Sequence, residues 1–373
     1  MRILIAPDKF KGSLNAREVA DGIATGLRDV LPDAPIEIVP VADGGEGTAD
    51  VICQACAGER VMCAAHDALG RSITVRYALL RDQSTAVMEM SEAAGLGRIA
   101  PRERDPFQVD TYGVGEMLLD AARRGAEEVI IGLGGSATND GGLGMARALG
   151  FRFLDRNGVE LSGPVSDLLG LDQILRPRDL SLPDVIGAAD VRNPLLGARG
   201  ATQTFGPQKG ATPEQLEALE EALARLADVV TRDLGCDFRE SAGAGAAGGL
   251  GFGLMSFCGA TIRPGFDLVA EILDLEAAIE RAEVVITGEG ALDEQTLAGK
   301  APAGVARLAR KLGKRVFAIV GRAPQNPEVL EIFDGVFALA TPPITPEESI
   351  ARAPELLRER GRELAKMLIH SCS

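Results

Sequence analysis

Histidine and positive charge are both scarce in this sequence. The 373 residues include only two histidines, His66 and His370. A Ser-His-Asp triad or a histidine-rich metal site is therefore not expected, and acid–base chemistry would fall to carboxylates or lysines. Lys and Arg number 39 against 54 Asp and Glu, which gives a formal net charge of −15. Because nucleic-acid binding needs a basic surface that displaces counterions, we expect no nucleic-acid partner.

The sequence also lacks a long hydrophobic run. Its longest uncharged segment, residues 241–262, contains seven glycines and is too weakly apolar for a membrane helix. Residues 1–7 resemble a strand and show neither the apolar core nor the cleavage site of a signal peptide. We therefore expect a cytoplasmic protein that does not bind membranes.

The six cysteines do not have the spacing of a zinc site. Cys53 and Cys56 form one C-x-x-C pair, but no second pair or histidine follows at a suitable distance. Free thiols are the expected state, in keeping with a reducing compartment. The remaining composition, 46% hydrophobic and 25% charged, is typical of a globular α/β protein, and the length favours two domains.

The most informative segment is glycine-rich and lies between a predicted strand and a predicted helix. Residues 129–133 are apolar and predict a buried strand, whereas Met145, Ala146 and Leu149 predict one face of a short helix that ends at Gly150. Free N–H groups and the helix dipole suit such a junction to anions. We interpret it as a phosphate-binding loop, and the alternative is a tight turn without a ligand. The candidate residues are Gly134, Gly135, Ser136, Thr138 and Asn139.

Two standard nucleotide-binding motifs fit this segment poorly. Residues 132–137 match the G-x-G-x-x-A form of the dinucleotide fingerprint, and Asp155 lies near the expected distance of a ribose-binding acid. However, residues 151–161 predict a hairpin that turns at Asn157 and Gly158, not the next parallel strand. The Walker pattern does not occur, because Gly299-Lys300 lacks both the upstream glycine and the following hydroxyl.

The chain opens with a predicted β-α-β unit. Residues 2–6 and 36–41 predict strands, and Ser13 is the expected N-cap of the helix between them. The loops after these strands, residues 7–13 and 42–48, lie where open α/β sheets place their ligands. The first is basic and the second acidic, which suits phosphates and Mg²⁺, although solvated turns would have the same composition.

Later segments predict a second domain inserted into the first. Residues 71–79 and 84–90 predict antiparallel strands, and the chain returns to strand–helix alternation after about residue 260. We place the boundaries at residues 1–58 plus 260–373 for the first domain and 59–259 for the second. A second glycine-rich stretch, residues 243–253, predicts either a ligand-covering loop or, as we favour, closely packed backbone.

Seven motifs follow one another along the chain: residues 7–13 (PDKFKGS), 42–48 (ADGGEGT), 111–116 (TYGVGE), 132–142 (GLGGSATNDGG), 190–195 (DVRNPL), 205–211 (FGPQKGA) and 287–290 (TGEG). These motifs give the chain a resemblance to the bacterial type I glycerate kinases. It implies phosphorylation of D-glycerate by ATP and Mg²⁺, with 2-phosphoglycerate as product. It also implies a Rossmann-like parallel-sheet domain, an inserted mixed α/β domain and an active-site cleft between them.

The resemblance and the strand-end positions together suggest roles for individual residues. Asp190, after the predicted strand 185–189, is expected to accept or orient the hydroxyl proton, although it could instead form an Asx turn. The other candidates are Lys9 for catalysis, Lys11, Ser13, Asn193 and Lys209 for substrate binding, and Asp43, Glu46, Glu289 and Asp293 for Mg²⁺.

Three departures and several alternatives remain at the sequence level. Many family members carry arginine where this chain has Ala291, and residues 66–71 and 320–324 also depart from the family pattern. The alternatives are a 3-phosphoglycerate-forming kinase, a kinase of a related hydroxy acid, an NAD-linked oxidoreductase and a non-catalytic metabolite-binding protein. The sequence leaves open whether the protein is a monomer or a homodimer.

Overall fold

The computed structural model describes residues 1–81, 84–292, 300–323 and 326–370. The chain forms two compact units. Unit 1 comprises Met1–Asp43, Asp50–Ala55 and Gly265–Ser373, and unit 2 comprises Gly44–Ala49 and Cys56–Pro264. None of the helices within the described ranges is long and apolar enough to cross a membrane. The predicted α/β class, with one parallel and one mixed sheet, is confirmed.

The strands are β1 Ile3–Ile5, β2 Ile36–Ile38, β3 Glu59–His66, β4 Ser72–Leu79, β5 Thr85–Glu89, β6 Glu128–Gly132, β7 Arg152–Asp155, β8 Leu171–Leu175, β9 Asp184–Ala188, β10 Thr261–Arg263, β11 Val284–Thr287, β12 Arg315–Val320 and β13 Gly335–Ala338. The first helices are α1 Ala16–Arg28, α2 Thr48–Ala55, α3 Ser91–Ala94, α4 Tyr112–Arg123, α5 Leu143–Ala148, α6 Ala201–Phe205 and α7 Pro213–Leu234. The later helices are α8 Ala246–Cys258, α9 Gly265–Ile272, α10 Leu275–Arg281, α11 Ala301–Lys311, α12 Pro327–Glu331, α13 Pro346–Ala351 and α14 Ala353–His370. Short 3₁₀ turns lie at Leu96–Arg98, Pro101–Glu103, Val165–Gly170 and Pro207–Lys209.

Unit 1 is a parallel sheet in the order β13-β12-β11-β1-β2. Successive side chains of a strand point to opposite faces, so an apolar strand can bury both. Ile3 and Ile5 accordingly pack in the core that contains α1 and α14. Leu4 packs in the opposite core, with α10 and α11. The sheet is therefore covered by helices on both faces.

The strand order of unit 1 contains a topological switch point. The chain runs from β1 to β2 in one direction, whereas β11, β12 and β13 follow one another in the other direction. β1 and β11 are neighbours at the point where the direction reverses. Open α/β sheets bind ligands outside the carboxyl ends of the strands at such a point. The loops that follow β1 and β11 are therefore the first place to look for function.

The expected helix cap at Ser13 is wrong. Asn15 caps α1: its Oδ1 accepts a hydrogen bond from the Glu18 N–H at 2.9 Å, and Glu18 Oε2 accepts one from the Asn15 N–H. This reciprocal capping box satisfies two N–H groups at once, which a single hydroxyl at position 13 could not do. The Ser13 hydroxyl instead donates to the Ile350 carbonyl at 3.1 Å.

Unit 2 contains a six-stranded mixed sheet in the order β10-β9-β6-β5-β4-β3. β5, β6, β9 and β10 are parallel, and the predicted antiparallel pairing of β4 with β5 is confirmed. The predicted turn at Asn157 and Gly158 is also present, because the Gly158 N–H donates to the Asp155 carbonyl and the Asp155 N–H to the Val159 carbonyl. β7 pairs with β8 in a separate two-stranded sheet.

Candidate active site

The first group of site residues lies at the carboxyl ends of β1 and β11 in unit 1. The Asp8 N–H donates to the Gly288 carbonyl at 2.8 Å, which joins the two strand-end loops. The hydroxyl of Thr287, the residue before Gly288, donates to the Ala6 carbonyl at 2.8 Å. These bonds hold the predicted basic loop and the Thr287–Gly290 motif side by side at the switch point.

Asp8 is a buried carboxylate in this group, with 6% of its surface exposed. Its Oδ1 atom accepts the Lys9 N–H at 2.6 Å and lies 3.9 Å from Lys9 Nζ. Burial raises the pKa of Asp8 to about 7, an effect that Lys9 opposes and the nearby charge of Asp43 reinforces. A carboxyl group in this range can exchange a proton near neutral pH. No local sequence pattern marks Asp8 as a site residue.

Further charged side chains share this edge of unit 1. Glu289 is buried after β11, and its Oε2 atom lies 3.9 Å from Lys300 Nζ. The charges of Asp43 and Lys300 both act on Asp8, so these groups are neighbours. Lys11 is exposed in the same basic loop. Phosphate groups need such cations, and Mg²⁺ needs such carboxylates.

The predicted Mg²⁺ ligands fit a metal only in part. Across the described ranges no three His, Cys, Asp or Glu side chains converge as a ready metal cage. Mg²⁺ commonly takes one or two carboxylates and completes its shell with phosphates and waters. Asp43 and Glu289 in unit 1 suit this sparse type of site. Glu46 is exposed in unit 2, and Asp293 lies outside the described residues.

The second group of site residues lies in unit 2, where β6 ends in the glycine-rich loop. The predicted acidic loop lies directly on it: a Cβ atom on Gly132 would lie 2.5 Å from the Gly44 carbonyl oxygen, and one on Gly134 would lie 2.7 Å from Gly45 Cα. Such distances admit only glycine. The two motifs therefore form one structure at the carboxyl edge of this sheet.

A buried carboxylate fixes this contact. Glu89, the last residue of β5, accepts the N–H groups of Gly47 and Ala49, both at 2.9 Å through Oε1. Two N–H donors stabilise a buried carboxylate that would otherwise be costly to desolvate. Glu89 was missed by the sequence analysis because its partners are about 40 residues away in the chain.

The glycine-rich loop has an outer and an inner part. In the outer part, the N–H groups of Gly134, Gly135 and Ser136 donate to no acceptor among the described residues. Gly135 is exposed, Gly134 is partly exposed and Ser136 is largely buried, so the Gly134–Gly135 end of this loop lies next to solvent. Free N–H groups that face solvent can bind an anion. The predicted phosphate-binding role of these residues stays a prediction, with an accessible geometry.

In the inner part, Thr138, Asn139 and Asp140 are fully buried. Asn139 Nδ2 donates to the Thr202 hydroxyl at 3.0 Å. Asp140 accepts four hydrogen bonds: the Thr111 hydroxyl at 2.7 Å and the N–H groups of Thr111, Gly142 and Gly144. The inner part therefore holds the loop in shape. A direct phosphate contact from the Thr138 or Asn139 side chain stays a prediction, and their burial does not favour it.

The second glycine-rich stretch packs against this inner part. A Cβ atom on Gly248 of α8 would lie 1.9 Å from the Thr138 carbonyl oxygen, and one on Gly253 would lie 2.8 Å from Gly142 Cα. The Gly141 N–H also donates to the Gly248 carbonyl at 3.1 Å. The stretch is closely packed backbone, which was the favoured interpretation.

Lys209 lies beneath the loop instead of at the surface. Only 2% of the residue is exposed, and its Nζ atom donates to the Thr138 carbonyl at 2.7 Å. Burial lowers the pKa of Lys209 to about 7, and the charge of Asp140 acts in the opposite direction. Its predicted role in substrate binding stays untested, but a buried ammonium group points to another role.

Asp190 and Asn193 lie at the same sheet edge as the glycine-rich loop. Asp190 is half-buried and follows β9, the parallel neighbour of β6, by two residues. The expected strand-end position is therefore confirmed, whereas its catalytic role stays a prediction. The side-chain amide of Asn193 donates to the Arg199 carbonyl at 2.7 Å, so it also shapes the following loop.

A cavity of about 290 Å³ lies beside α5, and the sequence analysis did not foresee it. Asp110 and Arg147 both line it. Burial and the charge of Asp140 raise the pKa of Asp110 to about 6, and burial lowers the pKa of Arg147. The guanidinium group donates to the carbonyls of Gly163 and Leu161, which anchors the cavity wall.

The strand-end loops of both units thus carry the glycines, lysines and carboxylates that an α/β enzyme needs to handle phosphate groups. The chain belongs to the glycerate kinase family, whose sequence model matches residues 3–369. It is 40% identical to a glycerate kinase of Bacillus subtilis (strain 168) over 98% of this chain and 97% of the relative. It is also 40% identical to the glycerate 2-kinase of Escherichia coli (strain K12), over 99% and 98%.

A solved structure extends this similarity to three dimensions. The crystal structure of a candidate glycerate kinase 2 from Salmonella typhimurium LT2 superposes with a TM-score of 0.87 at 42% sequence identity. The similarity covers 100% of this chain and 99% of that chain. Family and fold therefore agree over the whole length.

Proposed function

We propose that this protein transfers the γ-phosphoryl group of ATP to a hydroxyl group of D-glycerate, with 2-phosphoglycerate and ADP as products. The observation that carries the proposal is the position of the family motifs. In both units several of these motifs follow parallel strands at the carboxyl edge of the sheet, where buried carboxylates and lysines accompany glycine-rich turns. Membership of the glycerate kinase family supports the same reaction.

The amides of Gly134, Gly135 and Ser136 are the groups that would hold nucleotide phosphates. They are unpaired among the described residues, and Gly135 is exposed. Asp43 and Glu289 would hold Mg²⁺, which, when bound, neutralises charge on the phosphate oxygens. Lys9 and Lys11 would supply positive charge to the phosphate or to the glycerate carboxylate. These residues would position the reactants and neutralise the negative charge of the phosphates. Positioning and charge neutralisation are most of what a kinase must do.

Two carboxylates are our candidates for the group that accepts or orients the hydroxyl proton. Asp190 follows β9 in unit 2, and Asp8 follows β1 in unit 1. Phosphoryl transfer gains from a carboxylate that orients the attacking hydroxyl group, because the reaction depends on in-line geometry. We propose Asp190 as the first choice and Asp8 as the second.

The proposal is tested by ADP release from ATP in the presence of D-glycerate. We expect turnover with D-glycerate and none without it. Replacement of Asp190 by Asn should lower kcat by about 10²-fold or more while the protein stays folded, because general base catalysis commonly contributes 10²- to 10⁴-fold. Near-normal turnover of folded Asp190→Asn would remove Asp190 from the mechanism and leave Asp8 as the carboxylate to test.

The alternatives make different predictions in the same assay. A non-catalytic metabolite-binding protein would be stabilised by ATP without releasing ADP. An NAD-linked oxidoreductase would bind NADH, but the hairpin at Asn157 and Gly158 stands where the dinucleotide fold needs its next parallel strand. A kinase of a related hydroxy acid would release ADP with that acid and not with D-glycerate.

Three further properties are proposed because of the expected activity and not because of the geometry of the site. Magnesium as the activating ion, a cytoplasmic location and a monomeric or homodimeric state are the expectations that accompany this activity. The five described cysteines are free thiols, in keeping with a reducing compartment.

A further inference from the structure

We propose that Lys209 is a positioning residue of the glycine-rich loop: its buried ammonium group fixes the Thr138 carbonyl and thereby directs the loop's N–H groups, without touching substrate. The inference rests on the proposed function for its kinetic consequences. It assigns Lys209 a role different from the substrate contact expected from the sequence.

The geometry excludes a direct substrate contact in the described conformation. Lys209 ends the 3₁₀ turn Pro207–Lys209 and is 2% exposed, and its Nζ atom lies 2.7 Å from the Thr138 carbonyl oxygen. Gly248 packs against the same carbonyl, where even a Cβ atom would not fit. A ligand has no route to the ammonium group through this contact.

The contact acts on the loop through the peptide plane. The carbonyl of Thr138 and the N–H of Asn139 belong to one planar, trans peptide unit and point in opposite directions. A carbonyl held towards Lys209 therefore turns the Asn139 N–H away from it. That N–H donates to no acceptor among the described residues. The Thr138 hydroxyl and Asn139 Oδ1 are likewise buried without a described partner, so this part of the loop keeps unused hydrogen-bonding capacity.

The charge of Lys209 matters as well as its hydrogen bond. Asp140, two residues after Thr138, is a fully buried carboxylate that receives four hydrogen bonds. Lys209 and Asp140 are close enough for the carboxylate to act on the lysine's pKa. A negative charge below the loop would repel a phosphate, and a buried positive charge offsets it. In its protonated form, Lys209 therefore compensates Asp140 while it fixes the backbone.

The test compares Lys209→Met with Lys314→Met. Methionine keeps most of the buried volume and removes both the donor and the charge. Lys314 is the matched control, because its Nζ atom also donates to a backbone carbonyl at 2.7 Å, that of Glu280. Lys314 belongs to unit 1, whereas the glycine-rich loop belongs to unit 2. The readouts are amide hydrogen exchange of residues 133–142 and the KM for ATP and for D-glycerate.

For Lys209→Met we expect the amide hydrogen exchange rate of residues 133–142 and the KM for ATP each to rise about 10-fold or more, because a hydrogen bond from a charged group is lost. The KM for D-glycerate and the behaviour of Lys314→Met should stay within about 2-fold of wild type. A purely structural role would lower thermal stability without this selective rise for ATP. If Lys209→Met does not fold, Lys209→Gln, which keeps a neutral donor, replaces it in the same comparison.

Two results would overturn the proposal. The first is unchanged loop exchange and unchanged KM values in the folded variant. The second is a rise in the KM for D-glycerate alone, which would return Lys209 to substrate binding. Absence of turnover in the wild-type protein would instead contradict the proposed function, and hydrogen exchange would still decide whether Lys209 orders the loop.

Discussion

Asp8 is nearly buried at the end of β1, where Lys9 and Asp43 act on it in opposite directions. Such a carboxylate is costly when ionised and useful when it exchanges a proton near neutral pH. Lys209 is its cationic counterpart in unit 2, since burial also brings its pKa to about 7. At the scale of single residues, the candidate site is therefore defined by charges that the fold keeps out of water.

The raised pKa of Asp8 predicts a pH-dependent loss of stability. Its pKa of about 7 in the folded chain exceeds the ordinary value of 3.8, so the folded state binds the proton more tightly. This stabilisation is fully present below pH 3.8 and is lost as pH rises towards 7. Asp8→Asn has no carboxyl group to titrate. The melting temperature of Asp8→Asn minus that of wild type should therefore increase from pH 5 to pH 8. Thermal unfolding without added ligands measures this difference.

The opposite pH trend for Asp8→Asn would show that the Asp8 carboxylate is well compensated in the folded state. Asp21→Asn is the matched control, because Asp21 is an exposed surface carboxylate paired with Arg17. The difference in melting temperature between Asp21→Asn and wild type should stay nearly constant over the same pH range.

A second residue-scale prediction concerns Arg322. Ala291, where many relatives carry arginine, forms a parallel bridge with Arg322, and the Arg322 N–H donates to the Gly290 carbonyl at 3.1 Å. Two departures from the family pattern are thus neighbours, and the backbone of Arg322, an exposed residue, pairs with the end of the Thr287–Gly290 motif. Arg322→Ala should raise the KM for D-glycerate about 10-fold, and Arg322→Lys should restore it poorly.

Steady-state kinetics with the Arg17→Ala surface variant as control would check the role of Arg322. Arg17 is exposed on α1 and pairs with Asp21, one turn further along the same helix. Wild-type KM values for both substrates in Arg322→Ala would show that this guanidinium group does not contact them.

At the scale of elements, much of unit 1 and unit 2 could be predicted from the sequence. The apolar run 129–133 predicted β6 to within one residue, and the glycine at position 150 correctly marked the end of α5. These signals are local, because period and capping depend on residues within a few positions. The partners of Glu89 and Lys209 come from 40 to 71 residues away, and Asp140 receives two of its four hydrogen bonds from Thr111, 29 residues away. No local pattern specifies these distant contacts.

Gly248 provides an element-scale test of the packing between α8 and the glycine-rich loop. It has φ of +69°, and a Cβ atom there would lie 1.9 Å from the Thr138 carbonyl oxygen. Gly259, at the end of the same helix, has φ of +68° and open space around it. Both Ala variants carry similar backbone strain of about 1–3 kcal/mol, so their difference reports the clash.

We expect Gly248→Ala to be destabilised by clearly more than Gly259→Ala, by about 2 kcal/mol or more, measured by urea unfolding. It should also impair ATP binding, because the backbone that must yield belongs to the loop. Equal destabilisation of the two variants would mean that α8 does not constrain the loop.

A surface ion pair joins two helices in unit 1 and predicts a measurable pKa. Asp29, the C-cap of α1, accepts hydrogen bonds from Arg358 at 2.7 Å and from Arg362 at 2.6 Å, both on α14. The hydrogen bond from Arg358 has the largest effect and that from Arg362 the next largest, and together they lower the pKa of Asp29 to about 2. Any stabilisation from the pair is present above pH 3.8 and is lost as pH falls towards 2.

Arg358→Ala should raise the pKa of Asp29 towards its ordinary value. An NMR titration that observes the carboxyl carbon of Asp29 measures this pKa. Arg352→Ala is the control, because Arg352 pairs with Glu355, not with Asp29. A pKa of about 2 that survives in Arg358→Ala would assign the effect to Arg362 alone.

At the scale of the whole molecule, two units each place a family motif at the carboxyl edge of a sheet. Unit 1 does so at the switch point between β1 and β11, and unit 2 does so after β6 and β9. The chain has a net charge of −15, but its strand-end loops contain the lysines Lys9, Lys11 and Lys300. Anionic substrates would therefore be bound by local lysines and N–H groups, not by a basic surface.

The most direct test of the central claim couples ATP-dependent turnover of D-glycerate to enolase alone, without phosphoglycerate mutase. Enolase acts on 2-phosphoglycerate, so formation of phosphoenolpyruvate identifies the product in one step. We predict phosphoenolpyruvate formation that depends on ATP, D-glycerate and the protein together. ADP release that yields phosphoenolpyruvate only after mutase is added would contradict the 2-phosphoglycerate product, and no ADP release would contradict the kinase reaction itself.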